Sequence, residues 1–278
     1  MKVNKFSFGK FASHAILIIW SISIMMLVAW MVIASFKTNK TVFRQLFSLP
    51  EKLNLANFQN AWSNLNFGRY TFNSVFVVII SVALIIIISA PASYALTRMK
   101  MRFAQPITFF YLAGMGIPFQ LLLIPLFKIM ASLNLTDTLL GLIIVYTTLS
   151  IPFTVFLLTG FFLSIPSELE DAACMDGCNE FQTFFKIMVP MATPGIVTAA
   201  IFNFMGLWNE YMLALIFITG KENKTLSLGL YSLYSSLQYT SDWVSIFAGS
   251  VLVIIPTMII FIVLSEKLIS GITLGAIK

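Results

Sequence analysis

Charge is scarce in this chain. Only 10% of its 278 residues are Asp, Glu, Lys or Arg, against roughly 25% in a soluble domain. Histidine and cysteine are scarcer still, with one His (His14) and two Cys (Cys174 and Cys178). That stock excludes a Cys/His metal cluster, a His-based catalytic triad within the chain and a disulfide-stapled architecture. No metal site is therefore expected. No Gly-x-x-x-x-Gly-Lys-Ser/Thr run occurs either. "GKENKT" at Gly220–Thr225 has the Gly-Lys pair but not the preceding glycine or the adjacent hydroxyl, so the chain has no phosphate-cradling loop of that kind. The net charge of +6 comes from basic residues scattered at the ends of apolar segments. Such placement suits headgroups and topology and speaks against nucleic acid.

What the chain has instead is apolar length. It is 59% hydrophobic, with 27 Phe, too greasy to hide its side chains from water alone. Part of its solvent must be lipid. A spanning helix needs about 20 mostly apolar residues, and lipid-facing backbone must satisfy its own hydrogen bonds. The expectation is an all-α integral membrane protein, one transmembrane domain over residues 1–278. Six stretches have spanning length: 13–36, 71–97, 105–130, 138–164, 192–219 and 243–266. The first follows Lys2, Lys5 and Lys10 but is too long for a signal-peptide core, so it reads as a retained span. Pro118 and Pro125 interrupt the third. They read either as ordinary kinks in a bundle or as a bend lining a pathway. Arg98, Lys100 and Arg102 crowd into five residues, whereas outer-loop basic residues are spread thinly. That density places both termini in the cytoplasm.

Acid is concentrated in one place. Five of the eleven Asp and Glu fall between Glu168 and Glu180, in the connection 165–190 between spans 4 and 5. Ser167 and Glu170 have capping-box spacing, and acids in a first turn suit the helix dipole. Gly177 is a natural helix-ending residue because positive φ costs it nothing. Asn179 and Gln182 repeat the cap spacing. Phe181, Phe184, Phe185 and Met188 then lie at i, i+3, i+4 and i+7, the pattern of one helical face, and Pro190 is expected to close that helix. The segment reads as helix, glycine turn, amphipathic helix. Ala172, Ala173 and Gly177 leave little side-chain bulk, so another protein can approach closely.

"LSIPSELEDAACMDGCNEFQTFFKIMVPMATP" resembles the Glu-Ala-Ala loop of permease subunits of ATP-binding-cassette importers. Here the pattern reads Asp171-Ala172-Ala173, then Gly177, Phe184, Phe185 and Pro190. Asp171 replaces the usual Glu, which keeps the charge but shortens the reach; Glu170 stands beside it. "IPFQLLLIPLF", "LNLTDT", "IPFTVFLLTGFF", "LWNEY" and "SGITLGAIK" resemble the second permease subunit of maltose-type carbohydrate systems, a likeness running from about residue 70 to the end. The resemblance implies a bacterial cell-membrane (inner or cytoplasmic) permease for a sugar, a di- or oligosaccharide, with the loop as a coupling helix. Glu170, Asp171, Ala172, Ala173, Gly177, Phe184 and Phe185 would dock on a cytoplasmic ATPase. That ATPase, not this chain, would bind ATP and Mg. The other implied partners are a second permease subunit and an extracytoplasmic sugar-binding protein. The chain itself would not be an enzyme. The same class could carry another cargo, such as glycerol phosphate. A secondary transporter would show paired broken helices and internal repeats, and no repeat is visible here.

One carboxylate, Glu210, falls inside the fifth apolar stretch. A charge at a helix centre costs roughly 2.5–3.5 kcal/mol on insertion scales, so it should face a cavity or a partner. Trp208, Asn209, Glu210 and Tyr211, with Asn203 two turns below, offer an aromatic face with polar groups. They could line the solute path or a gate, or form a structural hydrogen-bond network between spans.

Overall fold

A computed structural model describes residues 8–50, 52–99 and 101–276, with side chains described over 12–50, 52–99, 101–236 and 239–263. Among the described residues every regular element is helical. The first is α1 (Phe8–Ser35). Thr38 then opens α2 (Asn39–Arg44) through a reciprocal capping box with Thr41. After α3 (Ala56–Gln59) and a π turn (Asn60–Asn64), Asn66 takes a left-handed φ of 60° and α4 (Phe67–Arg98) begins. Asn tolerates that conformation better than most residues.

The third apolar stretch is not one helix. It is α5 (Ala104–Met115) and α6 (Phe119–Ser132), bent by 101° where Gly116, Ile117 and Pro118 intervene. Pro118 cannot continue a helix whose i−4 carbonyl its ring would strike, and its extended ψ of 122° turns the chain into α6. Pro125 is carried inside α6 without a break. Thr138 caps α7 (Leu139–Ser164), accepting from the Gly141 amide at 3.0 Å.

The acidic segment contains α8 (Glu168–Met175), α9 (Glu180–Thr183) and a π turn (Phe184–Met188). The turn continues into α10 (Val189–Asn209). Pro190 does not close the helix as expected. It sits in the first turn of α10, next to the π turn, where the Val189 amide reaches back to Phe184. A widened turn there changes the local register beside a residue that has no N–H to donate. The helical stretch runs from Glu180 to Asn209, whereas 192–219 was expected. The remainder of that stretch is a separate short helix, α11 (Met212–Phe217). A 3₁₀ turn (Lys221–Asn223), α12 (Leu226–Ser235), α13 (Leu237–Thr240) and α14 (Trp243–Ala276) complete the order.

Among the described residues, five helices are long and apolar enough to cross a membrane, six with the bent pair counted as one crossing. Of α1, none of the most apolar stretch is buried by the chain itself.

The chain divides into two compact units, Met1–Phe67 with Ser232–Ile254, and Gly68–Tyr231 with Ile255–Lys278. In the first, Ala34, Val42 and Val244 form a small core against which Trp30 and Phe247 pack. Asn39 staples it, donating to Asp242 at 3.0 Å and accepting from the Val244 amide at 3.1 Å. In the second, α4, α7 and α10 share a core of Ala90, Leu158, Phe162, Met188, Ala192 and Ala199. Gly195 lets α10 approach α7 so closely that a Cβ there would collide with the Phe161 ring.

Candidate functional site

The acidic loop is held in a defined shape. At the end of α8 the Cys178 amide donates to the Ala173 carbonyl at 2.9 Å, and the Gly177 amide donates to Cys174 at 3.0 Å. Together these are a Schellman motif with Gly177 in the left-handed position, at φ 79°. The next helix starts with the expected reciprocal box. Asn179 accepts from the Gln182 amide at 2.9 Å, and Gln182 accepts from the Asn179 amide at 3.1 Å.

The first expected box does not form. Ser167 has helical backbone angles and makes no side-chain cap. Glu170 instead turns inward, 3.2 Å from the Arg98 guanidinium. An ion pair away from bulk water offers a carboxylate more than an exposed backbone amide does.

The expected single apolar face of Phe181, Phe184, Phe185 and Met188 divides in two. Phe184 and Met188 are buried in the core. Phe184 packs near Tyr94, with ring centroids 5.1 Å apart, and near Phe162 at 6.4 Å. Phe181 and Phe185 point outward, 71% and 52% exposed, with their rings 4.5 Å apart. Each i, i+4 pair keeps to its own stripe. Of the seven residues expected to dock, Asp171, Ala172, Gly177 and Phe185 are exposed. Ala173 and Phe184 are buried at 2% and 7% exposure, and Glu170 is half-buried. Two exposed apolar neighbours, Met175 and Phe181, were missing from that set. Their signal was available: each is a large apolar residue beside an acid in an otherwise polar turn.

The second group sits at the break between α10 and α11. Glu210 is not inside a helix; it is the extended residue that ends α10. Its Oε1 accepts from the Leu213 amide at 2.6 Å, and its Oε2 accepts from the Tyr146 hydroxyl at 2.6 Å and the Ala214 amide at 3.3 Å. One carboxylate thus supplies acceptors for amides that α11 leaves unpaired and ties them to α7. Asn203 is buried and donates to Thr154 Oγ1 at 2.9 Å and to the Ala199 carbonyl at 2.8 Å. Trp208 is buried, stacked on Phe204 at 5.6 Å, and its carbonyl accepts from Ser227 at 2.7 Å. Only Asn209 and Tyr211 are exposed. Tyr211 stacks on Tyr231 with centroids 5.1 Å apart, a partner not foreseen from the sequence. The five residues are therefore not one face.

The geometry so far is a capped loop continuous with one long apolar helix, and comparison with known proteins decides the family. The family described as "binding-protein-dependent transport system inner membrane component" matches residues 87–272. The chain belongs to this family. The permease is 34% identical over 266 residues to the diacetylchitobiose uptake system permease protein NgcG of Streptomyces coelicolor, spanning 96% of this chain and 88% of that protein. It is 37% identical over 250 residues to the sulfoquinovosyl glycerol transport system permease protein SmoH of Agrobacterium fabrum, spanning 90% and 87%. Among solved structures, a bacterial ABC transporter involved in alginate import has the same fold. Its TM-score is 0.80 at 22% identity, over 96% of this chain and 98% of that one. Family and apolar helices together make it a multi-pass protein of the inner membrane.

Proposed function

We propose that this permease is one membrane-spanning subunit of an ATP-driven, binding-protein-dependent importer whose cargo is a di- or oligosaccharide. The observation that carries the coupling part is the division of the acidic loop. One side, Asp171, Ala172, Met175, Gly177, Phe181 and Phe185, is exposed. The other side is buried, Ala173 at 2% exposure and Phe184 and Met188 in the core shared with α4, α7 and α10. A mixed acidic and apolar patch on a rigid support suits a protein partner better than it suits water. The partner is a cytoplasmic ATPase, which alone binds ATP and Mg. Ala173 and Phe184 serve the docking surface from beneath.

The sugar assignment draws on relatives whose names specify diacetylchitobiose and sulfoquinovosyl glycerol uptake, and on a starch degradation products permease protein, AmyC of Thermoanaerobacterium thermosulfurigenes, 33% identical over 244 residues. Six crossings make half of a pathway, so a second permease subunit completes it and an extracytoplasmic sugar-binding protein delivers the cargo. Both termini lie in the cytoplasm, on the side of the acidic loop. Asn209 and Tyr211, exposed at the α10–α11 break, are the path-facing members of their group. Asn203, Trp208 and Glu210 form the network that shapes the break.

The test is purification of the native complex in detergent with mass spectrometry of what accompanies this chain. A second six-crossing chain and a P-loop ATPase are expected, and Gly177→Trp should release the ATPase. A chain that purifies alone and mediates sugar uptake into vesicles without ATP would overturn the reading.

A further inference from the structure

Arg98 is the last residue of α4, and its guanidinium is a fixed fork of five donors. Nε and Nη2 both donate to the Phe162 carbonyl, at 3.1 and 2.6 Å. Nη2 also donates to the Ile165 carbonyl. Nη1 lies 3.2 Å from Glu170 Oε2. Phe162 is in the last turn of α7 and Ile165 ends it. The last carbonyls of a helix lack intrahelical donors and carry partial negative charge. Glu170 belongs to the first turn of α8. One side chain therefore joins three elements: the end of α4, the end of α7 and the start of the acidic loop.

The joint is sheltered. The Arg98 and Glu170 side chains are 12% and 21% exposed, so salt and water screen the pair less than they screen a surface pair. Beside it the Tyr94 ring meets Phe162, centroids 5.8 Å apart, and Phe184. The adjacent acid, Asp171, faces outward. If α8 shifted without α4 and α7, a guanidinium and a carboxylate would be left partly buried and unpaired, which is the costly outcome for such a pair.

We propose that Arg98 is the positioning residue through which displacement of α8 reaches α4 and α7, and that Glu170 serves this joint, not the ATPase surface. The proposal rests on the importer reading above. The assembled complex in liposomes tests it, with Cys174→Ser and Cys178→Ser as background, Asn209→Cys as reporter and a maleimide as probe. In that background, ATP with vanadate should change the labelling rate. Arg98→Gln and Glu170→Gln should each retain the ATPase and its hydrolysis while the labelling change shrinks about tenfold, within the range of site-to-site coupling. The double variant should shrink it no further. Arg98→Lys keeps a charge for Glu170 but not the fork for two carbonyls, and should restore part of the response. An unaltered labelling response in both single variants overturns the proposal. So does loss of the ATPase from Glu170→Gln, which would put that carboxylate on the docking surface. Absence of the ATPase from the unsubstituted complex would be a failure of the importer reading, seen before any substitution is made.

Discussion

Glu210→Gln separates a structural carboxylate from one that handles cargo. Both oxygens of Glu210 are occupied, Oε1 by the Leu213 amide at 2.6 Å and Oε2 by the Tyr146 hydroxyl at 2.6 Å and the Ala214 amide at 3.3 Å. Glutamine keeps the shape but only one acceptor. The Tyr146 hydroxyl can rotate to accept from the new amide. The least costly arrangement therefore leaves the carbonyl on Leu213 and abandons Ala214, the longest of the three contacts. Hydrogen bonds to charged groups contribute about 1.5–3 kcal/mol in soluble proteins. Within membrane proteins the average is nearer ~0.6, with a maximum of ~1.7 kcal/mol, because the unfolded chain in the bilayer also finds partners. The membrane scale applies here, so Glu210→Gln should cost about 1 kcal/mol. Glu210→Leu strips all three acceptor contacts and should cost roughly 2–3 kcal/mol on the same scale. At ~2–4 °C per kcal/mol, thermal-shift measurement in detergent should resolve the series native, Gln, Leu. A cycle with Tyr146→Phe should show non-additivity, since the two share one bond. Equal melting of all three proteins combined with lost sugar uptake would refute the reasoning and assign Glu210 to the cargo.

Gly177 holds φ at 79° with open space around its missing Cβ. Gly177→Ala should weaken ATPase capture by roughly 5- to 30-fold, the equivalent of the 1–2 kcal/mol left-handed penalty. Gly177→Asn should weaken it less, and titrated pulldowns would order the two. Gly195→Ala drives a methyl into the Phe161 ring and should lower stability by about 1–3 kcal/mol as overpacking does, read as a lower melting temperature with Gly206→Ala, which meets nothing, as the control. Asn203→Leu removes the bond to Thr154 and should cost about 0.6–1.7 kcal/mol while leaving the cargo preference of the complex unchanged, checked by competition among sugars.

The parts of this fold that could be read in the sequence are those fixed by neighbours. Ala173, Cys174, Gly177 and Cys178 complete their own hydrogen-bond motif within six residues, and the Asn179–Gln182 box closes within four. Spacing alone carries that information. The ion pair of Arg98 with Glu170 joins residues 72 apart, counted from their numbers, and no local pattern announces it. The same competition removed the Ser167 cap, because Glu170 had a better partner elsewhere. The split of the Phe181–Met188 face and the survival of the helix through Pro190 both turn on the π turn, which leaves no composition signal. Hydropathy located the fifth stretch but could not see that Glu210 breaks it, since Tyr211 and Met212 continue the apolar run past the break.

That π turn has a mechanical consequence. From Glu180 to Asn209 the chain is one uninterrupted helical stretch, so the outward rings of Phe181 and Phe185 and the broken end at Glu210 are mounted on a common shaft. Each residue advances a helix by about 100°, and a π turn stores one residue more than a plain turn does. Deleting Lys186 would remove that stored residue and return the stretch to plain helix with its two ends near their present phase, whereas deleting Gly206 from the plain helix of α10 would rotate one end against the other by about 100°. Only the second deletion would cost the two ends their angular phase.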